Sequence, residues 1–365
     1  PAPTLAWHTP EATAIGTPYY RGTVVTYSAH TVNGRNALTG AVTWSLTRTD
    51  RTVCQVIEDQ AYTITLFDQK GDCTEVTTLD TQTGQRKWER TLDEDDTRAD
   101  GKAIQHIQGH PSYAVLPDTV LIYSSTVIYA IDPTGGLDRW LFDHAGCTIH
   151  SAILGAQGAL ISQTCTHENC GQRKFCFDGD QVVLRDGTAG RADTDKNPTN
   201  PDQIIWTKPD VKAVPASADT VISVVDPAAT HLTVLDATKG ATLATLPLRG
   251  ASTTSGIAAL ETARAELIWI GGTTYSIEST GTDFFWVADS RGPATVTALP
   301  GSLTQPVDLN QAIVLVPTSH GADSLTPGTG VAATHYAVGP LPGGSRVYPL
   351  GRGLLVAGSA TAAYR

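Results

Sequence analysis

The chain has 365 residues, 17% of them charged and 41% hydrophobic, with 25 Lys plus Arg against 36 Asp plus Glu and a formal net charge of −11. This composition supports a sizeable core and argues against disorder, and the acidic balance without clustered Lys and Arg excludes a nucleic-acid partner. No stretch approaches the roughly 18 uninterrupted apolar residues of a membrane span.

In chain order, Thr4-Leu5-Ala6-Trp7 is a strand with no unit before it. Thr23 to Tyr27 is a β-rich run that leads to Asn36-Ala-Leu-Thr-Gly40-Ala-Val-Thr-Trp44. Tyr62 to Phe67 leads to Asp80-Thr-Gln-Thr-Gly84-Gln-Arg-Lys-Trp88, and Val120 to Ile131 leads to Asp132-Pro-Thr-Gly-Gly136-Leu-Asp-Arg-Trp140. The three copies share one spacing of polar residue, Gly and Trp. The Asp or Asn side chain closes the turn on its own backbone, Gly supplies a positive φ, and Trp packs against the neighbouring unit. A weaker copy, Asp236-Ala-Thr-Lys-Gly240, follows Val221 to Leu235 and lacks its Trp.

The Trp residues fall at 44, 88 and 140, in steps of 44 and 52 residues. Periods of about 40–50 residues with four short strands are propeller blades. Trp206 closes a longer fourth unit, the fifth closes near Leu246 and the sixth near Phe284-Phe285-Trp286. A seventh begins near Ala294 and contains Ala312 to Pro317. Arg346 to Leu350, Leu354 to Gly358 and Ala360 to Tyr364 supply three last strands, which Thr4 to Trp7 completes. The expectation is an all-β, single-domain β-propeller over residues 1–365, with eight four-stranded blades and the ring closed by the N- and C-terminal strands in one blade. Seven blades is the alternative if the segments around Ala294 and Val307 form one unit.

Six cysteines are spaced like cross-strand staples, and hairpin geometry pairs Cys54 with Cys73, Cys147 with Cys165 and Cys170 with Cys176. Disulfides imply an oxidising compartment. A zinc site at Cys165, His167, Cys170 and Cys176 is the competing reading, but it lacks paired Cys-x-x-Cys clamps. The chain begins at Pro1, from which we expect that a transmembrane helix or lipid anchor has been removed and that the protein sits on the periplasmic side of the plasma membrane.

The Asp-x-x-x-Gly-x-x-x-Trp spacing resembles the tryptophan-docking repeat of quinoprotein-type propellers, which include quinone-dependent dehydrogenases and the non-enzymatic assembly factor BamB. Arg51-Thr-Val-Cys54, Gly71-Asp-Cys73, Leu79-Asp80, Gly109-His-Pro-Ser-Tyr113 and Gly146-Cys-Thr-Ile-His150 look like membrane-anchored extracytoplasmic propellers of actinobacteria. That resemblance implies a role in envelope biogenesis and polar growth, with trehalose monomycolate as ligand and a membrane lipid exporter or envelope-assembly proteins as partners. The quinone enzymes carry an adjacent Cys-Cys disulfide beside their cofactor, and no two cysteines are adjacent here. We therefore expect no quinone or other cofactor and no enzymatic activity.

Other chemical signals are weak. Asp193-Thr-Asp195-Lys-Asn197 starts like a calcium loop, but Pro198 stands where the turn needs Gly. Asp93 to Asp96 reads as a solvated linker. No nucleophile elbow, zinc-protease or phosphate-loop motif occurs, so neither a catalytic residue nor a metal ligand is expected. The residues expected to line the channel are Tyr19, Tyr20, Arg51, Gln55, His110, Ser112, Tyr113, Thr148, His150, Thr254, Ser255, Arg346 and Tyr348. Hydroxyls, imidazoles and guanidinium groups between aromatic rings suit a sugar head group. Phe284 and Phe285, with Trp269 and Trp286, are the candidates for an apolar groove that would take a lipid chain.

Overall fold

The computed structural model describes residues 3–16, 19–92, 107, 111–116, 118–143, 146–166, 178–187, 204–218, 222–228, 230–247, 257–261, 265–270, 273–280, 283–289, 297–299, 313–318, 320–325, 332–341, 345–350 and 353–365. Between 257 and 318 only the backbone pairing is described. The described residues are all β and turn, and they form eight sheets.

Sheet 1 orders Ala12–Thr13, Thr23–Tyr27, Thr31–Asn36 and Val42–Thr47 from its inner to its outer strand. Sheet 2 orders Val53–Asp59, Tyr62–Gln69, Asp72–Asp80 and Arg86–Thr91. Sheet 3 orders Ser112–Leu116, Thr119–Tyr123, Val127–Ile131 and Asp138–Asp143. Sheet 4 orders Cys147–Gly155, Gly158–Cys165, Gly179–Arg185 and Ile204–Pro209. Sheets 5, 6 and 7 repeat the antiparallel order, starting from Val214–Ala218, Ile257–Glu261 and Thr297–Leu299. Sheet 8 joins Arg346–Leu350, Gly353–Ala357 and Thr361–Tyr364 to the N-terminal Leu5–Thr9. Thr4 and Arg365 exchange backbone hydrogen bonds, so the two ends of the chain are tied and share one sheet.

Middle strands are covered on both faces by neighbouring sheets, which is why Val127–Ile131, the third strand of sheet 3, is buried along its whole length. Outermost strands are covered on one face only, and Val42–Thr47 accordingly alternates between exposed and half-buried residues. Apolar cores fill the spaces between sheets 8 and 1, 1 and 2, 2 and 3, 3 and 4, 4 and 5, and 7 and 8.

The repeated turn is the device that joins one sheet to the next. Asp80 Oδ1 accepts from the backbone N–H groups of Gln82 and Thr83, and Gly84 donates to the Asp80 carbonyl. Gly84 has φ +69°, and a Cβ there would lie 2.6 Å from the Trp44 ring of the preceding sheet, so the indole lies flat on a residue that has no room for a side chain. Trp44 then donates its Nε1–H to the Thr81 carbonyl at 2.9 Å. The same unit recurs with Trp7 on Gly40 and Ala37, Trp88 on Gly136 and Pro133, and Trp206 on Gly240 and Ala237. The turn at Asp236 therefore receives the Trp of the sheet before it and needs none of its own to dock.

A second contact locks the turn. Arg90 and Lys208, each two residues after a docking Trp, donate to the carbonyls of Gly136 and Gly240. At the junction of sheets 8 and 1 the cation comes from the other side, where Arg35 donates to Gly40.

Two disulfides are present as expected, Cys54–Cys73 within sheet 2 and Cys147–Cys165 across the first hairpin of sheet 4. Cys165 is thereby removed from any zinc site. Cys170 and Cys176 lie outside the described residues, as do His167, Asp93 to Asp96 and Asp193 to Pro198.

One element departs from the simple repeat. The inner strand of sheet 1 is Ala12–Thr13, not the Tyr19–Tyr20 pair, which folds back onto Thr23 and Val24. Between them Ile15–Gly16 adds to the inner edge of sheet 2 as a fifth, parallel strand beside Ile57 and Glu58.

Candidate functional site

The sequence-derived candidates separate into three groups. Arg51 is held by Glu75 at 3.0 Å in a surface network with Arg48 and Asp50, and is therefore an ion-pair residue of sheet 2. His150 is exposed and bonds Thr164 Oγ1 through Nε2 at 2.7 Å. Ser112 and Thr148 are exposed, while Gln55, Tyr19 and Tyr20 are half-buried. His110, Thr254 and Ser255 lie outside the described residues, and so do the side chains of Trp269, Phe284, Phe285 and Trp286.

The third group is brought together. Arg346, the first residue of the inner strand of sheet 8, acts electrostatically on the phenols of Tyr348, on its own strand, and of Tyr113, on the inner strand of sheet 3. Sheets 1 and 2 stand between sheets 8 and 3 in the packing order. The Arg346–Tyr113 interaction therefore links inner strands of two sheets that are not neighbours. Tyr27 at the end of the second strand of sheet 1 and Tyr123 at the same end of sheet 3 both act electrostatically on Tyr113 or through it.

The electrostatics follow from this convergence. Burial pushes the Tyr348 and Tyr113 phenols above their ordinary pKa, with Arg346 opposing the rise. Desolvation works against the Arg346 charge, but the two phenol oxygens outweigh it and hold the guanidinium above its ordinary value. The Arg346 side chain itself remains exposed.

Two carboxyl groups lie close by that the pattern of turns did not reveal. Glu58 is fully buried on the inner strand of sheet 2 and acts on Tyr348. Burial, and then the adjacent Asp59, hold its pKa well above the usual carboxylate range. Asp59, 3% exposed, is pushed up to about 7 by burial and by Asp118 of sheet 3. The available signal was the pair Glu58-Asp59 at the end of the apolar strand that begins Val53-Cys-Gln-Val-Ile57, where an acidic dipeptide breaks a buried run.

Among the described residues no group of three or more His, Cys, Asp or Glu side chains could hold a metal ion. The residues do not fit a quinone cradle either, because the two disulfides join cysteines 19 and 18 residues apart within sheets and neither is vicinal. No step of redox chemistry is derived for this chain.

With the geometry in place, comparison with known proteins agrees on architecture. A family model described as outer membrane protein assembly factor BamB matches residues 4–164. No curated protein matches the chain. Among solved structures, BamB from Moraxella catarrhalis is 15% identical with a TM-score of 0.54, over 100% of this chain and 98% of that one. The computationally designed Ika8 protein is 12% identical with a TM-score of 0.61, over 99% and 98%. A europium-containing methanol dehydrogenase is 12% identical with a TM-score of 0.50, over 96% and 84%. The chain has the fold of a PQQ-like β-propeller. The disulfides and the family match suggest an extracytoplasmic setting. No helix among the described residues is long and apolar enough to cross a membrane.

Proposed function

We propose that residues 1–365 form one closed, eight-bladed propeller that binds protein partners in cell-envelope assembly and carries out no chemistry of its own. The fit of a BamB model to the first part of the chain supports protein partners of this kind. The observation that carries the reading is a recurring exposed apolar position. Leu5, Leu38, Val42, Leu137, Ile205 and Leu243 are each 43–65% exposed, and each lies in an outermost strand or in the turn that enters it. Single exposed apolar residues are ordinary, but repetition at the outer edge of sheets 8, 1, 3, 4 and 5 builds a rim suited to partner docking.

The test is a photo-crosslinking residue placed at Leu38, Leu137 or Leu243 in cells, with Gln157, in the inner hairpin of sheet 4, as the control. Discrete protein adducts from the rim positions are expected. Rim positions that give no more adduct than Gln157 would remove the scaffold reading.

A second reading comes from the actinobacterial resemblance: a membrane-anchored carrier of a glycolipid, trehalose monomycolate, that works with a lipid exporter in polar growth. The phenols around Arg346 favour it, because aromatic rings stack on sugar faces. Native mass spectrometry with trehalose monomycolate tests this reading directly, and it should be abandoned if the glycolipid binds no better than an unrelated lipid of equal chain length.

A further inference from the structure

The junction of sheets 3 and 4 holds a buried charge with no counter-charge among the described residues. Arg185, on the third strand of sheet 4, is 2% exposed, and its guanidinium carbon lies 5.1 Å from the Trp140 ring and 4.9 Å from the Phe142 ring. Its Nε and Nη1 have no hydrogen-bond partner, and no ion pair among the described residues involves it. Trp140 is 3% exposed, and its Nε1 also lacks an acceptor. Trp7, Trp44, Trp88 and Trp206 each donate to the first carbonyl after the Asn or Asp of the turn they cover. The matching carbonyl here, that of Gly187, instead accepts from Thr119 Oγ1 at 3.2 Å. Three buried donor nitrogens thus belong to two side chains in ring contact. Buried donors are rarely left open in folded proteins, and those of a charged group are the costliest to leave so. A water molecule would satisfy N–H groups but leave the Arg185 charge uncompensated. An anion meets both needs, and side chains this enclosed admit a small, singly charged ion rather than an organic or polyvalent one.

We propose that Arg185 and Trp140 form a buried binding site for a halide-class anion, chloride, between sheets 3 and 4. Arg185 supplies the charge and two of the donor nitrogens, Trp140 supplies the third, and the Trp140 and Phe142 rings hold the guanidinium in place. Folding brings these side chains together, so chloride stabilises the junction by binding the folded state alone. Without the ion the guanidinium keeps only its two rings. The site is independent of the exposed rim and of the protein-partner reading that rests on it.

The experiment follows the Trp140 Nε1–H and Arg185 Nε–H resonances of the full chain by NMR while sodium gluconate is replaced by sodium chloride, bromide or sulfate at constant ionic strength. Loss in Trp140→Phe and in Arg185→Met assigns the two signals. Chloride and bromide should shift both signals saturably, and sulfate should shift neither. Arg185→Met should abolish the halide shift at Trp140. Trp140→Phe keeps a ring and the charge but removes one donor, and should leave the shift at Arg185 with about tenfold weaker affinity. The proposal is overturned if neither halide saturates, if sulfate shifts the signals as strongly as chloride, if the shift at Trp140 survives in Arg185→Met, or if Trp140→Phe leaves the affinity unchanged.

Discussion

Arg35 and Arg185 occupy the same place in two sheets, the residue of the third strand that makes its last pair with the fourth, just before the docking turn and beside the same register irregularity. At the junction of sheets 8 and 1, Arg35 meets Glu11 at 2.9 Å, and the carboxylate is also bonded by Thr26 and Asn33. At the junction of sheets 3 and 4 those two polar positions are taken by Ile161 and Val183, which pair with Val183 and Ile161 across the same strands that hold Ala159 and Arg185. Arg185 is 2% exposed there, stacked 5.1 Å from Trp140 and 4.9 Å from Phe142, with Nε and Nη1 lacking hydrogen-bond partners. Burial pulls its pKa down to about 10. The docking Trp differs too. Trp7, Trp44, Trp88 and Trp206 each donate to the first carbonyl after the Asx residue, whereas Trp140 Nε1 has no acceptor and the corresponding Gly187 carbonyl takes Thr119 instead. One backbone position can thus hold a matched ion pair or a guanidinium between two rings, and the polarity of the two neighbouring side chains decides which.

A large effect should come from breaking the matched pair. Arg35→Met leaves Glu11 half-enclosed with only Thr26 and Asn33, and should cost about 2–3 kcal/mol in urea unfolding near neutral pH. Desolvation raises the Glu11 pKa, but the bonds from Thr26, Arg35 and Asn33 outweigh it and leave the group below its ordinary value. A depressed carboxylate contributes stability that is present above its unfolded pKa and lost as pH falls through the folded one. The deficit of Arg35→Met should therefore shrink on acidification below the ordinary carboxylate range. A loss that is the same at pH 7 and pH 3 would mean that the pair is not the cause.

The disulfides sharpen the same contrast. Their loops, 19 and 18 residues, are nearly equal, so the chain-entropy contribution of each is about 3 kcal/mol. Cys147 and Cys165 both belong to the core between sheets 3 and 4, whereas Cys54 is only half-buried. Cys147→Ser with Cys165→Ser should therefore cost more than Cys54→Ser with Cys73→Ser, by the packing that the junction with the unmatched Arg loses. Equal losses for the two double variants would show that this junction draws nothing extra from its staple.

How much of this was legible depended on whether the information was local. Asn36, Asp80 and Asp132 with their Gly and Trp partners could be read because turn chemistry sits within nine residues, and the two described disulfides because hairpins bring near neighbours together. The segment Asp186-Gly-Thr-Ala-Gly190 has the same spelling but was hidden, since Trp206 stands 16 residues after Gly190 instead of four. The locking cations were also written locally, as Trp88-Glu-Arg90 and Trp206-Thr-Lys208, without a rule to single them out. Of the interior candidates, Tyr113, Arg346 and Tyr348 converge, but Arg51 looked equivalent until Glu75, two strands away, engaged it. Sequence spacing does not report such cross-strand partners.

Asp59 should give a smaller effect with a distinctive pH dependence. Its folded pKa of about 7 lies above the ordinary value of 3.8. The folded state therefore binds the extra proton between those limits, so this group makes stability fall as pH rises from about 4 to 7, with the cost persisting above. Asp59→Asn should raise stability by about 1–2 kcal/mol at pH 8, change little at pH 4, and flatten the slope between. Urea midpoints at the two pH values check it. A variant destabilised equally at both would mean that the ionised carboxylate is satisfied in the fold.

The smallest change is expected at Arg185, and it is the sharpest test of the comparison. Arg185→Met keeps the length of the side chain and its contact with the Trp140 and Phe142 rings while removing a charge that burial disfavours. The lost cation–π attraction, about 1–2 kcal/mol in a desolvated site, is offset by release from the desolvation of an unpaired guanidinium. Unfolding should shift by less than about 1 kcal/mol, in either direction, where the same substitution at Arg35 is costly. Polar neighbours without a carboxylate should not help: in Val183→Asn with Ile161→Thr, Arg185 gains the polar setting of Arg35 but no counterpart of Glu11, and the junction should weaken. If Arg185→Met alone costs as much as Arg35→Met, the two rings hold the guanidinium as firmly as a carboxylate does, and the distinction between the two junctions falls.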